Sequence, residues 1–288
     1  MILYGKAVAD AMNGKLAEDA SALAEKGVVP TLAIVRVGER DDDIAYERGA
    51  VKRCESVGIQ VERFLLPLDA AEDEILAVID RINGDVRIHG CLLFRPLPKG
   101  IDETKVCNAL SPEKDIDGIS ELSLAGVFSG SGKGYPPCTA QACIELLKHY
   151  GIELSGKDAV VVGRSLVIGK PVAMMLLAEN ATVTTCHSKT PELAAKCRKA
   201  DVLIVAAGRA GLIGNEGIGP NTTVIDVGIN VDGDGRLCGD VDSADAELAA
   251  SYSPVPGGVG SVTTSVLCSH VIDAAWKSLA RGSGKPEV

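Results

Sequence analysis

The sequence predicts an α/β protein of two domains, each built on a parallel sheet, and three observations predict it. Apolar runs rich in β-branched residues, such as Thr31-Leu32-Ala33-Ile34-Val35-Arg36-Val37 and Ala159-Val160-Val161-Val162, lack the polar alternation of half-exposed strands and read as strands covered on both faces. Between such runs lie longer stretches with apolar residues at helical spacing, and Gly27, Gly38 and Gly58 mark the joins. With 288 residues, 46% of them hydrophobic, the chain can bury one large core or two ordinary ones, and two is the expectation.

The first helix is predicted over residues 7–26, where Val8, Ala11, Met12, Leu16, Ala20 and Leu23 share a face. A strand follows at Thr31 to Val37, then an acidic loop of Asp41, Asp42 and Asp43 whose charges suit a helix N-terminus. The next helix is predicted from about Ile44 to Val57, with Gly58 as its stop. A strand from Val61 to Leu66, a helix from Ala71 to Ile82 and a strand from Gly90 to Arg95 continue the alternation, which makes a parallel sheet. Pro137-Cys138-Thr139 then opens a helix from Ala140 to Tyr150, predicted to connect the two domains.

The second half is organised around Ala159 to Pro171. An apolar strand breaks into Gly163-Arg164-Ser165 and resumes as a helix from Pro171 to Glu179, so that Gly163 and Gly169 let backbone N–H groups approach a pyrophosphate at the helix N-terminus. The spacing departs from G-x-G-x-x-G, and a plain strand-to-helix turn is the competing reading. Thr182 to Thr185, Val202 to Ala206 and Thr223 to Val227 add strands. An acid after Thr182 to Thr185, the second strand of this half, would bind a ribose 2′-hydroxyl; His187-Ser188-Lys189-Thr190 has none, and Arg164 is available, which favours NADP over NAD. Asn230 to Gly235 resembles a calcium loop, but Val241 stands where a bidentate Glu is required, so it reads as a hairpin turn. A last helix is predicted from Thr263 to Leu279, followed by a frayed tail over 282–288.

A net charge of -10 disfavours a nucleic-acid partner, which needs clustered positive charge. No apolar run approaches the roughly 18 residues of a membrane span, and Met1 to Lys6 lacks the pattern of a signal peptide, so a cytoplasmic location is expected. Nine cysteines without a C-x-x-C pair, and four scattered histidines, indicate buried thiols rather than a disulfide framework or a metal site.

Gly163-Arg164-Ser165 through Gly169-Lys170-Pro171, Cys186-His187-Ser188-Lys189-Thr190 and Pro254-Val255-Pro256-Gly257-Gly258-Val259-Gly260 occur in that order. Together they resemble the methylenetetrahydrofolate dehydrogenase/cyclohydrolase family of the bifunctional FolD type, and the resemblance runs from Gly5-Lys6 to the last helix. It implies a folate-binding catalytic domain over 1–138 and 266–288, and a Rossmann-like, doubly wound NAD(P)-binding domain over 139–265. Pro112-Glu113-Lys114-Asp115-Ile116-Asp117-Gly118 matches the family's P-x-K-D-V-D-G, which makes Asp117 the acid that accepts from the pterin. Tyr46 is implied as a catalytic and substrate residue together with Asp117, with Pro256, Gly257 and Gly258 beside the folate and nicotinamide. Gly163, Arg164, Ser165, Ile168, Gly169, His187, Ser188 and Ile229 are implied at the cofactor, and the family suggests a homodimer.

Two positions depart from the family together. Its Tyr is followed four residues later by Lys; here Ala50 follows Tyr46, while Cys54, Glu55, Val57, Gly58 and Ile59 keep the register of C-E-x-V-G-I. Its P-L-P follows Gln-Leu; here Phe94-Arg95 precede Pro96-Leu97-Pro98. Lys52 lies about 200° further around the helix than Ala50, Arg53 stays protonated, and Arg95 is expected on the opposite side of the strand from Phe94. Hydride transfer from 5,10-methylenetetrahydrofolate needs two rings positioned against each other, whereas hydrolysis of the methenyl product needs an activated water. The paired loss therefore predicts an NADP-dependent dehydrogenase whose cyclohydrolase step is weak or lost. The alternatives are a bifunctional enzyme that makes 10-formyltetrahydrofolate with another base, and a folate- or nucleotide-binding protein without turnover, which would have no need of both sets of motifs.

Overall fold

A computed structural model of the chain describes residues 1–282. It divides into two compact units, one of Met1–Asp10 with Thr139–Thr263, the other of Ala11–Cys138 with the residues from Thr264 onward. The first ten residues thus group with the later segment, not with the one they precede in sequence. The cause is backbone hydrogen bonding: Leu3 N–H donates to the Tyr252 carbonyl at 2.8 Å and Gly5 N–H to the Gly257 carbonyl at 2.8 Å.

Helix α1 (Gly5–Glu25) ends at Gly27, where the chain turns with a positive φ. β1 (Thr31–Val37), α2 (Asp41–Ser56), β2 (Gln60–Leu66), α3 (Glu72–Gly84) and β3 (Gly90–Leu93) follow in the expected alternation and make a parallel sheet in the order β2-β1-β3. Every residue of β1 is buried, including Arg36, whose Nε donates to Glu47 of α2 at 2.9 Å. Asp41, Asp42 and Asp43 form the first turn of α2 instead of the loop before it. The strand expected to run to Arg95 stops at Leu93, three residues before Pro96.

Helical period predicts neither α4 (Glu103–Ala109) nor α5 (Glu121–Ser129). Each is too short for that period to show, and both are started by a cap: Asp102 accepts from Lys105 N–H at 3.0 Å and Ser120 Oγ from Ser123 N–H at 3.2 Å. α6 (Cys138–His149) follows.

The other unit continues with β4 (Asp158–Val162), α7 (Gly169–Ala178), β5 (Thr182–Cys186), α8 (Leu193–Cys197), β6 (Val202–Val205) and β7 (Thr223–Asp226). β8 (Asn230–Val231) and β9 (Leu237–Cys238) form an antiparallel hairpin, followed by α9 (Ser243–Ala246) and β10 (Ser251–Tyr252). The hairpin turn is closed by Asp232, whose Oδ1 accepts from Asp234 and Arg236 N–H. The five-stranded sheet is parallel, in the order β10-β7-β6-β4-β5. The chain winds outward from β4 in one direction to β5 and in the other through β6, so the loops after β4 and β6 open a crevice at the switch point.

α10 (Thr263–Gly282) is the last element, three residues longer than expected, and the tail predicted over 282–288 otherwise lies outside the described residues. All nine cysteines are free and all but Cys238 are buried. Among the described residues no helix is long and apolar enough to cross a membrane.

Candidate functional site

α2 carries Tyr46 and Ala50 one turn apart, but the two differ in environment: Tyr46 is 40% exposed and Ala50 is fully buried. Phe94, just beyond β3, packs edge-on to the Tyr46 ring with centroids 5.9 Å apart. The Tyr46 hydroxyphenyl ring thus meets an aromatic edge, not a polar group, at position 94. Lys52 is exposed, pairs with no acid among the described residues, and lies off this face.

β3 ends before Arg95, so strand alternation does not fix the direction of its side chain. Its guanidinium lies 3.7 Å from Glu103 and acts electrostatically on Asp117, helping to hold that carboxyl down. Burial pushes the Asp117 carboxyl up, and the Cys138 N–H, donating to its Oδ1 at 3.1 Å, opposes the shift together with Arg95.

The rest of the Pro112–Gly118 motif is committed to structure. Lys114 Nζ donates to the carbonyls of Ile82, Asn83 and Asp85 at 2.6, 3.0 and 2.7 Å, closing the C-terminal end of α3. Asp115, fully buried, accepts from Ile119 N–H, Ser120 N–H and Ser120 Oγ. Gly118 has φ of 61°, and a Cβ there would lie 2.5 Å from the Tyr135 carbonyl oxygen. Lys114, Asp115 and Gly118 thereby hold the turn that presents Asp117.

In the other unit, Gly163, Arg164, Ser165, His187 and Ser188 line one cavity of about 420 Å³ at the carboxyl ends of β4, β5 and β6. Gly163 has φ of 135°, and a Cβ would lie 2.2 Å from the Ala206 carbonyl oxygen; one on Gly169 would lie 2.4 Å from the Gly163 carbonyl oxygen. Both glycines are thus dictated by close backbone approach. α7 starts at Gly169, ahead of the expected Pro171, since a proline in the first turn forfeits no helical hydrogen bond. Ser165 Oγ accepts from Ile168 N–H at 3.1 Å and Gly169 N–H at 3.4 Å, so those two amides are satisfied within the loop. The N–H groups of Arg164 and Ser165 meet no acceptor among the described residues. A glycine cradle, open amides and an unpaired Arg164 fit a dinucleotide phosphate.

Ile168, Gly169 and Ile229 do not line this cavity; Ile229 is 72% exposed between β7 and β8. His187 Nδ1 accepts from Lys189 N–H at 3.2 Å, which fixes the turn after β5. Gly257 and Gly258 pack on the start of α1: a Cβ on Gly5 would lie 2.0 Å from the Gly258 carbonyl oxygen. Sequence reasoning passed over Ala207, Arg209, Leu193 and Leu212, which line the same cavity. Leu193 opens α8, and Ala207, Arg209 and Leu212 lie along the stretch that follows β6. Among the described residues no cluster of three or more His, Cys, Asp or Glu could hold a metal ion.

Residues 3–117 match the family model described as tetrahydrofolate dehydrogenase/cyclohydrolase, catalytic domain, and residues 137–279 the one described as its NAD(P)-binding domain. The chain is 48% identical to the Bifunctional protein FolD of Clostridioides difficile over 274 residues, 95% of this chain and 96% of that one. It is similar to the crystal structure of the bifunctional FolD methylenetetrahydrofolate dehydrogenase/cyclohydrolase of Campylobacter jejuni, with TM-score 0.94, 36% identity, and 96% and 99% of the two chains covered. The Trypanosoma brucei dehydrogenase-cyclohydrolase, solved with NADP cofactor and inhibitor, aligns with TM-score 0.89 and 34% identity over 97% of this chain and 98% of that one. The chain belongs to the tetrahydrofolate dehydrogenase/cyclohydrolase family.

Proposed function

We propose that the protein oxidises 5,10-methylenetetrahydrofolate to 5,10-methenyltetrahydrofolate with NADP, and that it hydrolyses the product weakly or not at all. The observation that carries this is the contrast between an intact cofactor loop and a catalytic face on which Ala50 is buried and Phe94 packs against Tyr46. NADP, when bound, supplies the hydride acceptor. The chain's own part is to position: Asp117 accepts from the pterin N–H groups, the Tyr46–Phe94 pair walls the folate and keeps water away, and Gly163 to Ser165 with Arg164, His187 and Ser188 hold the phosphates and adenosine. Pro256, Gly257, Gly258 and Ile229 complete the proposed folate and nicotinamide contacts. No residue at 50 or 94 can carry or aim a proton for water attack. NADP in place of NAD is supported by Arg164 and by the lack of an acid in His187 to Thr190, and by the NADP bound to the Trypanosoma brucei relative. A cytoplasmic homodimer with a folate as its small-molecule partner belongs to the same proposal.

The names of the relatives favour a second reading, a bifunctional enzyme that also forms 10-formyltetrahydrofolate. It requires a base at a position other than 50 and 94, and a guanidinium is unsuited to that role. The test of the dehydrogenase step is reduction of NADP and of NAD by the purified protein with 5,10-methylenetetrahydrofolate. NADPH formation faster than NADH formation is expected, and reduction of neither would leave only the binding-protein reading.

A further inference from the structure

The loop after β6 belongs to none of the motifs that point to the cofactor, yet Ala206, Ala207 and Arg209 form a wall of the same cavity as Gly163 and Arg164. Three consecutive amides of this loop converge on one buried carboxylate. Asp240 Oδ2 accepts from Ala207 N–H at 2.6 Å and Gly208 N–H at 2.9 Å, and its Oδ1 accepts from Arg209 N–H at 2.7 Å and Asn230 Nδ2 at 2.9 Å. Asp240 is fully buried, and a Cβ on Gly228 would lie 2.4 Å from its carboxyl carbon. Its own N–H donates at 3.0 Å to a second buried acid, Asp226, which also accepts from Gly228 and Val241. A buried carboxylate persists only when its oxygens are satisfied, and here three consecutive amides of one loop do most of it. The backbone of Arg209 is consequently fixed to an anchor 31 residues away in sequence.

Arg209 itself is exposed and pairs with no acid among the described residues. Arg164, exposed and likewise unpaired, reaches the same cavity from the loop after β4. Among the described residues no Asp or Glu lines that cavity. Two guanidinium groups facing one volume without an acid between them repel each other, and a dianion converts that repulsion into two charge-assisted contacts. We propose that Arg209 is a second cation for the 2′-phosphate of NADP, acting with Arg164, and that Asp240 is the positioning residue that sets it; this rests on the NADP assignment above.

Equilibrium binding of adenosine 2′,5′-bisphosphate and of adenosine 5′-monophosphate, measured by calorimetry on the full chain, tests it without turnover. Arg209→Ala should weaken the bisphosphate by roughly 10-fold or more and leave the monophosphate within about twofold, because only the former carries the 2′-phosphate. Arg209→Lys should recover part of the loss. Asp240→Asn should weaken the bisphosphate in the parent and add little in the Arg209→Ala background, a pattern that general loosening of the fold would not produce. Equal weakening of both ligands by Arg209→Ala, or no effect on either, overturns the Arg209 assignment. If the unmodified protein does not prefer the bisphosphate, the NADP assignment fails first; if it does, and Arg209→Ala retains the whole preference, only the Arg209 assignment fails.

Discussion

Ala50 and Phe94 are the apolar positions on which the proposed loss of hydrolysis rests, and the burial of Ala50 decides how a lysine placed there would behave. Its first carbons would start inside packed surroundings, and without an amide at position 94 the ammonium would be buried and unpartnered, which is costly. Ala50→Lys alone should therefore lower stability and give little hydrolysis. Ala50→Lys with Phe94→Gln should raise cyclohydrolase turnover by more than the two single changes together, read as methenyl-folate decay corrected for spontaneous hydrolysis. Additive or absent gains would show that these positions do not act as a unit. At the cofactor, Arg164→Ala should raise the KM for NADP far more than that for NAD, the lost charged contact being worth ~1.5–3 kcal/mol. Asp117→Asn should weaken folate binding and leave NADP binding alone, as titrations of each ligand separately would show. A parallel fall in NADP affinity would place Asp117 in the wrong role.

Among the elements, β7 ends in an acid whose ionisation burial opposes. Burial first, and the nearby Asp240 as well, push the Asp226 carboxyl up to about 6, against the pull of three backbone N–H groups. An ordinary unfolded Asp loses its proton near 3.9, so between about 4 and 6 the native state holds a proton that the unfolded chain has released. The contribution of this group is fully present below the unfolded value and is lost as pH rises through about 6. Carboxyl-carbon NMR of the native protein should show Asp226 titrating near 6, and a midpoint below 4 would contradict this. The Pro112–Gly118 segment is held by fixed contacts, with Lys114 on three carbonyls and Asp115 on the Ile119 and Ser120 N–H groups and Ser120 Oγ, while Asp117 accepts from Cys138 N–H.

Across the whole molecule, what the sequence made legible was whatever is governed by local pattern. β1 and β4 are nearly continuous apolar runs because they are covered on both faces, and the glycines of the cofactor loop mark close backbone approaches that any side chain would block. What stayed hidden depends on distant partners. Asp240 looks like one more acid near a hairpin until its contacts to Ala207, Gly208 and Arg209 are known, and the first ten residues change units through hydrogen bonds to Tyr252 and Gly257. The end of β3 at Leu93 was equally hidden, since the apolar run continues through Phe94 and carries no local stop before Pro96. Whether one catalytic step survives without the other is tested most directly by supplying 5,10-methylenetetrahydrofolate and NADP to the purified protein at neutral pH and following NADPH, methenyl-folate and formyl-folate separately. Methenyl-folate should accumulate in step with NADPH and decay no faster than in buffer. Formyl-folate appearing well above the uncatalysed rate, with Ala50 and Phe94 in place, would contradict the account.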